Sequence, residues 1–141
     1  MDDRPFFSTQ FLLGIEHIDR EHQKLFEILG RVHDALQAND FSAGPIILDA
    51  VVELIEYART HFASEESAMA KAGYPALAEH KELHRHLLEM VRDMELRSEC
   101  DSQYLPIDLA AFLYHWLVDH ILIKDKAFGD FYHSAECDAG S

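Results

Sequence analysis

Ten histidines occur among the 141 residues, and five of them share a placement that suits metal chemistry. His22 precedes Leu25 and Phe26 by three and four residues and Leu29 by seven, so its imidazole lies on the apolar stripe of a helix. His61 continues the series Val51, Leu54, Ala58, and Glu65 extends it by one further turn. His80 and His84 are one turn apart and align with Leu77, Leu87 and Val91, while His120 extends Leu109, Leu113 and Trp116. A lone histidine on an apolar face is most often an ordinary core residue held by a hydrogen bond. Five of them on four inward faces, with a carboxylate one turn from His61, would leave too many buried polar groups unpaired. A shared metal removes that cost, because imidazole lone pairs and carboxylate oxygens are then bonded rather than merely desolvated.

The elements that must position these side chains are four amphipathic helices, predicted at about 19–37, 45–72, 75–99 and 106–132 from apolar residues at helical spacing. Their stripes carry Leu25, Phe26, Leu29, Val32 and Leu36 in the first, and Leu48, Val51, Leu54, Ile55, Ala58 and Phe62 in the second. Leu83, Leu87, Leu88, Val91 and Met94 mark the third, and Leu109, Phe112, Leu113, Trp116 and Leu117 the fourth. Pro45, Pro75 and Pro106 suit first helical turns, and Gly73 suits a helix stop. Long helices with short connections run antiparallel to their neighbours. The expected fold is therefore all-α, an up-down-up-down four-helix bundle forming one domain over residues 1–141. A phenylalanine-rich arm, residues 1–17 with Phe6, Phe7 and Phe11, is expected to pack across the bundle, and the tail from Ser134 to fray.

Composition narrows the function classes. The net charge is −14, with acidic residues spread along the chain. No basic stripe exists to neutralise phosphates, so nucleic acid and anionic membrane are not expected partners. The first residues lack the order of a signal peptide, and no apolar run reaches the length of a membrane span. Cys100 and Cys137 make no disulfide framework, which points to a reducing cytoplasm, and a monomer is expected. The other five histidines read otherwise. His86 and His115 lie off the inward stripes, His33 lies too far along its helix to share a metal with His22, His17 precedes the first helix, and His133 sits near Cys137 in the tail.

One ion cannot use five imidazoles together with carboxylates from several sides. Zinc takes four ligands and favours Cys or three His, calcium and magnesium want oxygen, and copper has no thiolate set here. Mixed imidazole and carboxylate ligation inside a bundle suits two iron ions, with manganese as the alternative. The ferritin-like signature, a Glu three residues before a His, is absent from the sequence.

From about Gly14 to Tyr132 the sequence resembles the bacterial hemerythrins. The matching pieces are Gly14-Ile-x-x-Ile-Asp-x-x-His22, His61-Phe-x-x-Glu65-Glu, Gly73-Tyr-Pro, His80-x-x-x-His84 and Trp116-Leu-x-x-His120-Ile-x-x-x-Asp125. The resemblance implies seven metal ligands, His22, His61, Glu65, His80, His84, His120 and Asp125, around an oxo- or hydroxo-bridged di-iron centre. It implies that Glu65 and Asp125 bridge both irons, that His80, His84 and His120 complete one iron, and that His22 and His61 leave an open position on the other. Molecular oxygen is the implied ligand, with nitric oxide or small anions as alternatives, and Leu25, Trp116, Ile121 and Ile123 are the implied lining of its pocket. Reversible oxygen binding for carriage, storage or delivery is the expected function. Sensing through a separate partner, and di-iron oxidase or peroxidase chemistry, are the competing readings. The apolar lining offers no proton donor, which argues against an enzyme. Glu66 points about 100° away from its neighbour Glu65. Asp125 follows His120 by five residues, so an irregularity such as a π-bulge is predicted between them.

Overall fold

The first long helix, α1 (Glu16–Gln37), begins where the chain turns sharply at Gly14, whose φ is +82°. Asp19 fixes that turn, accepting hydrogen bonds from the backbone N–H groups of Leu13 (2.8 Å) and Gly14 (3.0 Å). The start lies three residues earlier than the apolar spacing predicts, and this first turn both follows the turn that Asp19 fixes and buries Ile18. In the computed structural model, which describes residues 6–37, 43–100 and 106–140, α1 is followed by α2 (Ala43–Ala72), α3 (Leu77–Cys100), α4 (Pro106–His120) and α5 (Lys126–Gly140). Residues 1–5, the two interhelical segments 38–42 and 101–105, and Ser141 lie outside the described residues, as do the side chains of Leu36, Cys100, Leu109 and Cys137.

Helix α2 stops at Gly73, whose φ is +69°. The N–H of Tyr74 bonds to the carbonyl of Met69 (3.0 Å) and that of Gly73 to Ala70 (3.2 Å), the two bonds of a Schellman ending. Tyr74 also packs on the apolar cluster that includes Met69, which completes the motif.

Between α4 and α5 the backbone stays helical but widens into a π turn over Ile121–Asp125, closed by a bond from the N–H of Lys126 to the carbonyl of Ile121. The predicted irregularity is therefore present, and α4, the π turn and α5 together make the fourth helix of the bundle. The tail is helical as far as Gly140, so its expected fraying from Ser134 is corrected. Phe128 and Phe131 anchor the start of this helix in the apolar cluster around Met69. His133 donates its Nε2–H to the carbonyl oxygen of Leu13 at 2.8 Å and so ties the helix to the arm.

The arm holds a short 3-10 turn, Thr9–Phe11. Phe11 packs against Phe26 with ring centroids 4.5 Å apart, and Phe7 joins them. Phe6, expected to pack with them, is 69 % exposed. Leu48 is likewise corrected. Although it continues the helical spacing of α2, it stands 46 % exposed, one turn before the buried residues Ala50 and Val51.

Two apolar clusters fill the middle of the bundle, and a third, Phe11, Phe26 and Ile121, joins it to the arm. Of the two, one contains Leu25, Leu29, Leu54, Phe62, Leu87 and Leu117, and the other Leu13, Ile15, Ile18, Met69 and Phe128. On every helix the predicted metal ligands fall between the residues of these clusters. A polar layer is thus closed above and below by hydrocarbon. Among the described residues no helix is long and apolar enough to cross a membrane.

Candidate metal centre

His22, His61, Glu65, His80, His84, His120 and Asp125 are all buried, none more than 5 % exposed. They form two overlapping groups. His80, His84 and His120 gather with Glu65 and Asp125, and His22 and His61 gather with the same two carboxylates. Each carboxylate divides its oxygens between the groups. Glu65 Oε1 stands 2.8 Å from His80 Nε2 and 3.3 Å from His84 Nε2, whereas Oε2 stands 3.3 Å from His61 Nε2 and 3.5 Å from His22 Nε2. Asp125 Oδ1 stands 3.0 Å from Nε2 of both His80 and His120, and Oδ2 stands 3.1 Å from His22 Nε2.

The π turn makes this possible. Five residues separate His120 from Asp125, which on a regular α-helix would turn them about 140° apart. The widened turn brings both into the polar layer and sends the residue midway between them outward. That residue is Ile123, and it is 63 % exposed. Its expected place in the lining of an interior pocket is therefore corrected. Ile123 instead lines an outer hollow of about 220 Å³ with Leu83, Trp116 and Lys124. Leu25 is fully buried, in the cluster on which Trp116 packs, and Trp116 stacks on His120 with centroids 4.4 Å apart and planes 14° apart. Ile121 is buried in a separate cluster with Phe11 and Phe26.

Three side chains that the spacing does not reveal hold the imidazoles in place. His61 Nδ1 lies 2.7 Å from Glu21 Oε1, and the other oxygen of Glu21 accepts a bond from Ser64 Oγ at 2.9 Å. His84 Nδ1 lies 2.7 Å from Glu66 Oε2. Phe62 stacks on the His84 ring, with centroids 3.8 Å apart and planes 5° apart. Glu66 does point away from Glu65, as its position on the helix requires, and this is how it reaches the outer edge of His84. Glu21 stands forty residues before His61, so no local spacing rule connects them.

The donor chemistry can be tested against a metal. A neutral imidazole that gives its Nδ1–H to a carboxylate keeps a lone pair on Nε2. His61 and His84 both have that arrangement, with Nε2 turned inward. There His84 Nε2 is 3.1 Å from His120 Nε2, which is 3.1 Å from His80 Nε2. Both ring nitrogens of His22, together with Glu65 Oε2 and Asp125 Oδ1, are buried without an aligned hydrogen-bond partner. Lone pairs and carboxylate oxygens facing one another at these distances repel unless a cation sits among them. The residues fit a metal.

Without one, protons supply the positive charge. Burial opposes the charged form of His61, but bonds to Glu21 and Glu65 outweigh it and lift its pKa to about 10. Burial likewise opposes a charged His80, and Asp125 and Glu65 lift it to about 9. Burial favours a neutral Glu65, yet the four histidines around it hold its carboxyl well below the usual range.

The other histidines stay out of the layer. His17, His86 and His115 are exposed, and His33 is half-buried, with Nδ1 3.8 Å from Asp34.

Residues 13–131 match the family described as the hemerythrin HHE cation binding domain. The chain is 36 % identical over 127 residues to a bacteriohemerythrin of Clostridium acetobutylicum, covering 88 % of this chain and 98 % of that protein. It is 33 % identical to a bacteriohemerythrin of Stenotrophomonas maltophilia, covering 84 % of this chain and 74 % of the relative. A crystal structure of a mutant protein, 27 % identical, superposes with a TM-score of 0.77 over 94 % of this chain and 98 % of its own. The family match spans the four-helix bundle and the buried histidine and carboxylate layer alike, and the chain belongs to the hemerythrin family.

Proposed function

We propose that this protein binds molecular oxygen reversibly at a non-haem di-iron centre, for carriage, storage or delivery inside the cell. The observation that carries the reading is the division of Glu65 and Asp125 between two ligand groups, one with three imidazoles and one with two. His80, His84 and His120 would hold one iron, His22 and His61 the other, and the two carboxylates would bridge them. Two irons so held would supply reversible electron donation to oxygen. The unequal imidazole count leaves the His22 and His61 side one ligand short, where a single small molecule can enter.

The chain's own contribution is to orient and to exclude. Glu21 and Glu66 hold His61 and His84 by their outer nitrogens, which fixes the tautomer and aims Nε2 at the centre. Leu25, one turn beyond His22, is fully buried and offers no proton. Phe62 and Leu117 share its hydrocarbon cluster, on which Trp116 packs. A dry hydrocarbon surround, with Glu21 and Glu66 confined to the outer ring nitrogens, slows both cleavage of oxygen and loss of reduced oxygen species, which favours release over reaction.

The test is iron content and visible absorption on protein reduced without oxygen and then exposed to air. Two irons per chain, and a visible band that appears with oxygen and vanishes on its removal, are the expected results. Two irons with irreversible oxidation would replace carriage by redox sensing or enzyme chemistry, and a chain that takes up no iron would overturn the reading altogether.

A further inference from the structure

At the arm end of the bundle, away from the metal layer, lies a cleft of about 690 Å³ between the first turns of α1 and the last turns of α2. Its size is that of a site for a small organic molecule rather than for a few waters. In a chain of net charge −14, its walls carry three basic side chains, His17, Arg20 and Lys71.

The acids that could neutralise them are mostly engaged elsewhere. Asp19 caps the backbone of Leu13 and Gly14, and Glu21 is held by His61 and Ser64. Glu16 does reach Arg20, at 3.4 Å, but both side chains are largely exposed, at 84 % and 68 %. A pair of that kind contributes little and opens readily. Lys71 has no ion-pair partner among the described residues. The negative charge of the rest of the molecule is screened over about 8 Å at physiological salt, so an anion inside the cleft responds chiefly to the groups that line it, Arg20 and Lys71 against Glu16. Ser64 and Ser67 add hydroxyls, and Ile15, Ala68 and Ala72 give an apolar wall.

We propose that this cleft binds a small phosphate-bearing molecule, its phosphate on Arg20 and Lys71 and its organic body on the apolar wall. A planar guanidinium and an ammonium that line one cleft suit a phosphate, which can take a bidentate contact and a point charge together. Inorganic phosphate alone would leave most of the volume to water, which is why an organic ester fits better.

The cleft is wired to the metal layer. Ser64 lines it and donates to Glu21, which in turn holds His61. A phosphate oxygen that draws the Ser64 hydroxyl away leaves Glu21 a stronger acceptor for His61 Nδ1–H and so changes the donor strength of Nε2. Occupancy is thereby reported at the centre. This coupling rests on the metal reading above, whereas the binding itself does not.

The experiment is calorimetric titration of the purified full chain with inorganic phosphate and with AMP, at low and at physiological salt. One AMP per chain is expected, weakened at least tenfold by Lys71→Gln or Arg20→Gln. Arg85→Gln, at an exposed arginine paired with Glu82 and Glu89, serves as the control and leaves binding unchanged. AMP binding tighter than phosphate supports the organic body on the apolar wall, and equal affinities overturn that part while keeping the phosphate contact. No saturable binding of either probe, or binding undiminished in both cleft variants, overturns the site. The coupling is read on iron-loaded protein, where saturating AMP should shift the visible absorption in the parent and not in Ser64→Ala. An unshifted spectrum in the parent overturns the coupling, and the calorimetry, which needs no iron, judges the site independently.

Discussion

His120 and Asp125 lie five residues apart on one helix, yet Nε2 of the first is 3.0 Å from Oδ1 of the second. A single π turn reconciles the spacing with the contact, and its cost is one poorer backbone register in exchange for a carboxylate that reaches both imidazole groups. If Asp125 is shared, its removal should disturb both sides. Asp125→Ala is expected to lower bound iron from two per chain to less than one, with helical content by circular dichroism preserved. Retention of one tightly bound iron would mean that Asp125 serves one group only.

The outer carboxylates should matter almost as much as the ligands they hold. Glu21→Gln and Glu66→Gln keep the shape of the side chain but weaken the bond that fixes His61 or His84. Loss of such an outer partner typically costs about 10- to 100-fold in metal affinity. Competition with a chromophoric chelator would measure it. The two variants should differ in which iron is lost first, since Glu21 acts on His61 and Glu66 on His84. Affinities equal to the parent's would show that packing alone orients the rings, with the Phe62 stack on His84 as the obvious agent.

Much of this centre is legible in the sequence, because helical periodicity decides which side chains face inward and each candidate ligand except Asp125 extends an apolar stripe. His22, His61 and His84 follow from spacing alone. Asp125 does not, since a five-residue interval contradicts the period, and it enters through resemblance to a family. Ile123 shows the same limit from the other side. Resemblance to the family implies it as lining, but the widened turn rotates it outward. Glu21 is invisible to any local rule, because its partner lies on another helix. The extent of the last helix is also obscured, since the small and polar residues after His133 carry little periodic signal while Phe128 and Phe131 had already anchored it.

Protons and metal compete for the same atoms, which gives the metal-free chain a defined pH profile. His61 and His80 have folded pKa values near 10 and 9, above the ordinary 6.5. Their contribution to stability is complete below about 6.5 and is lost as pH rises through 9 and 10. Glu65 is shifted the other way, so its contribution is present above the usual carboxyl range and lost on acidification. Thermal denaturation of metal-free protein should therefore show its highest Tm between about pH 5 and 6.5, falling on both sides. Metal binding must expel the histidine protons. Iron loading at pH 7 should release protons, measurable by calorimetry in two buffers of different ionisation enthalpy. Loading without proton release would mean that the imidazoles are already neutral, held so by something other than the geometry described.

Gly73 separates stability from function. Its φ of +69° is the left-handed conformation, and an added Cβ would meet no neighbour within 4 Å. The cost of Gly73→Ala is therefore the backbone conformation alone, about 1 kcal/mol. For a chain of this size that lowers Tm by about 4 °C. Iron content and oxygen spectra should be unchanged, because the Schellman ending positions Tyr74 and the start of α3 rather than any ligand. A loss of iron in this variant would show that the turn sets the height of His80.

Leu25 offers the sharpest test of the dry surround. It is fully buried one helical turn beyond His22 and belongs to the cluster with Phe62 and Leu117. Leu25→Asn keeps the branch at Cγ, though with less volume, and places an amide among the hydrocarbon side chains of that cluster. Burying that amide unpaired costs about 1–3 kcal/mol, and the cheapest relief is a water molecule drawn in beside it. That water is a proton donor next to the side of the centre where the proposed function places oxygen. Oxidation of the reduced, oxygenated protein in air should then quicken several-fold, followed by loss of the visible band with time. Leu25→Met, which stays apolar, should behave as the parent and so separates hydration from a mere change of shape. If the asparagine variant folds, holds two irons and oxidises no faster than the parent, exclusion of water by this side chain is not what keeps the bound oxygen intact.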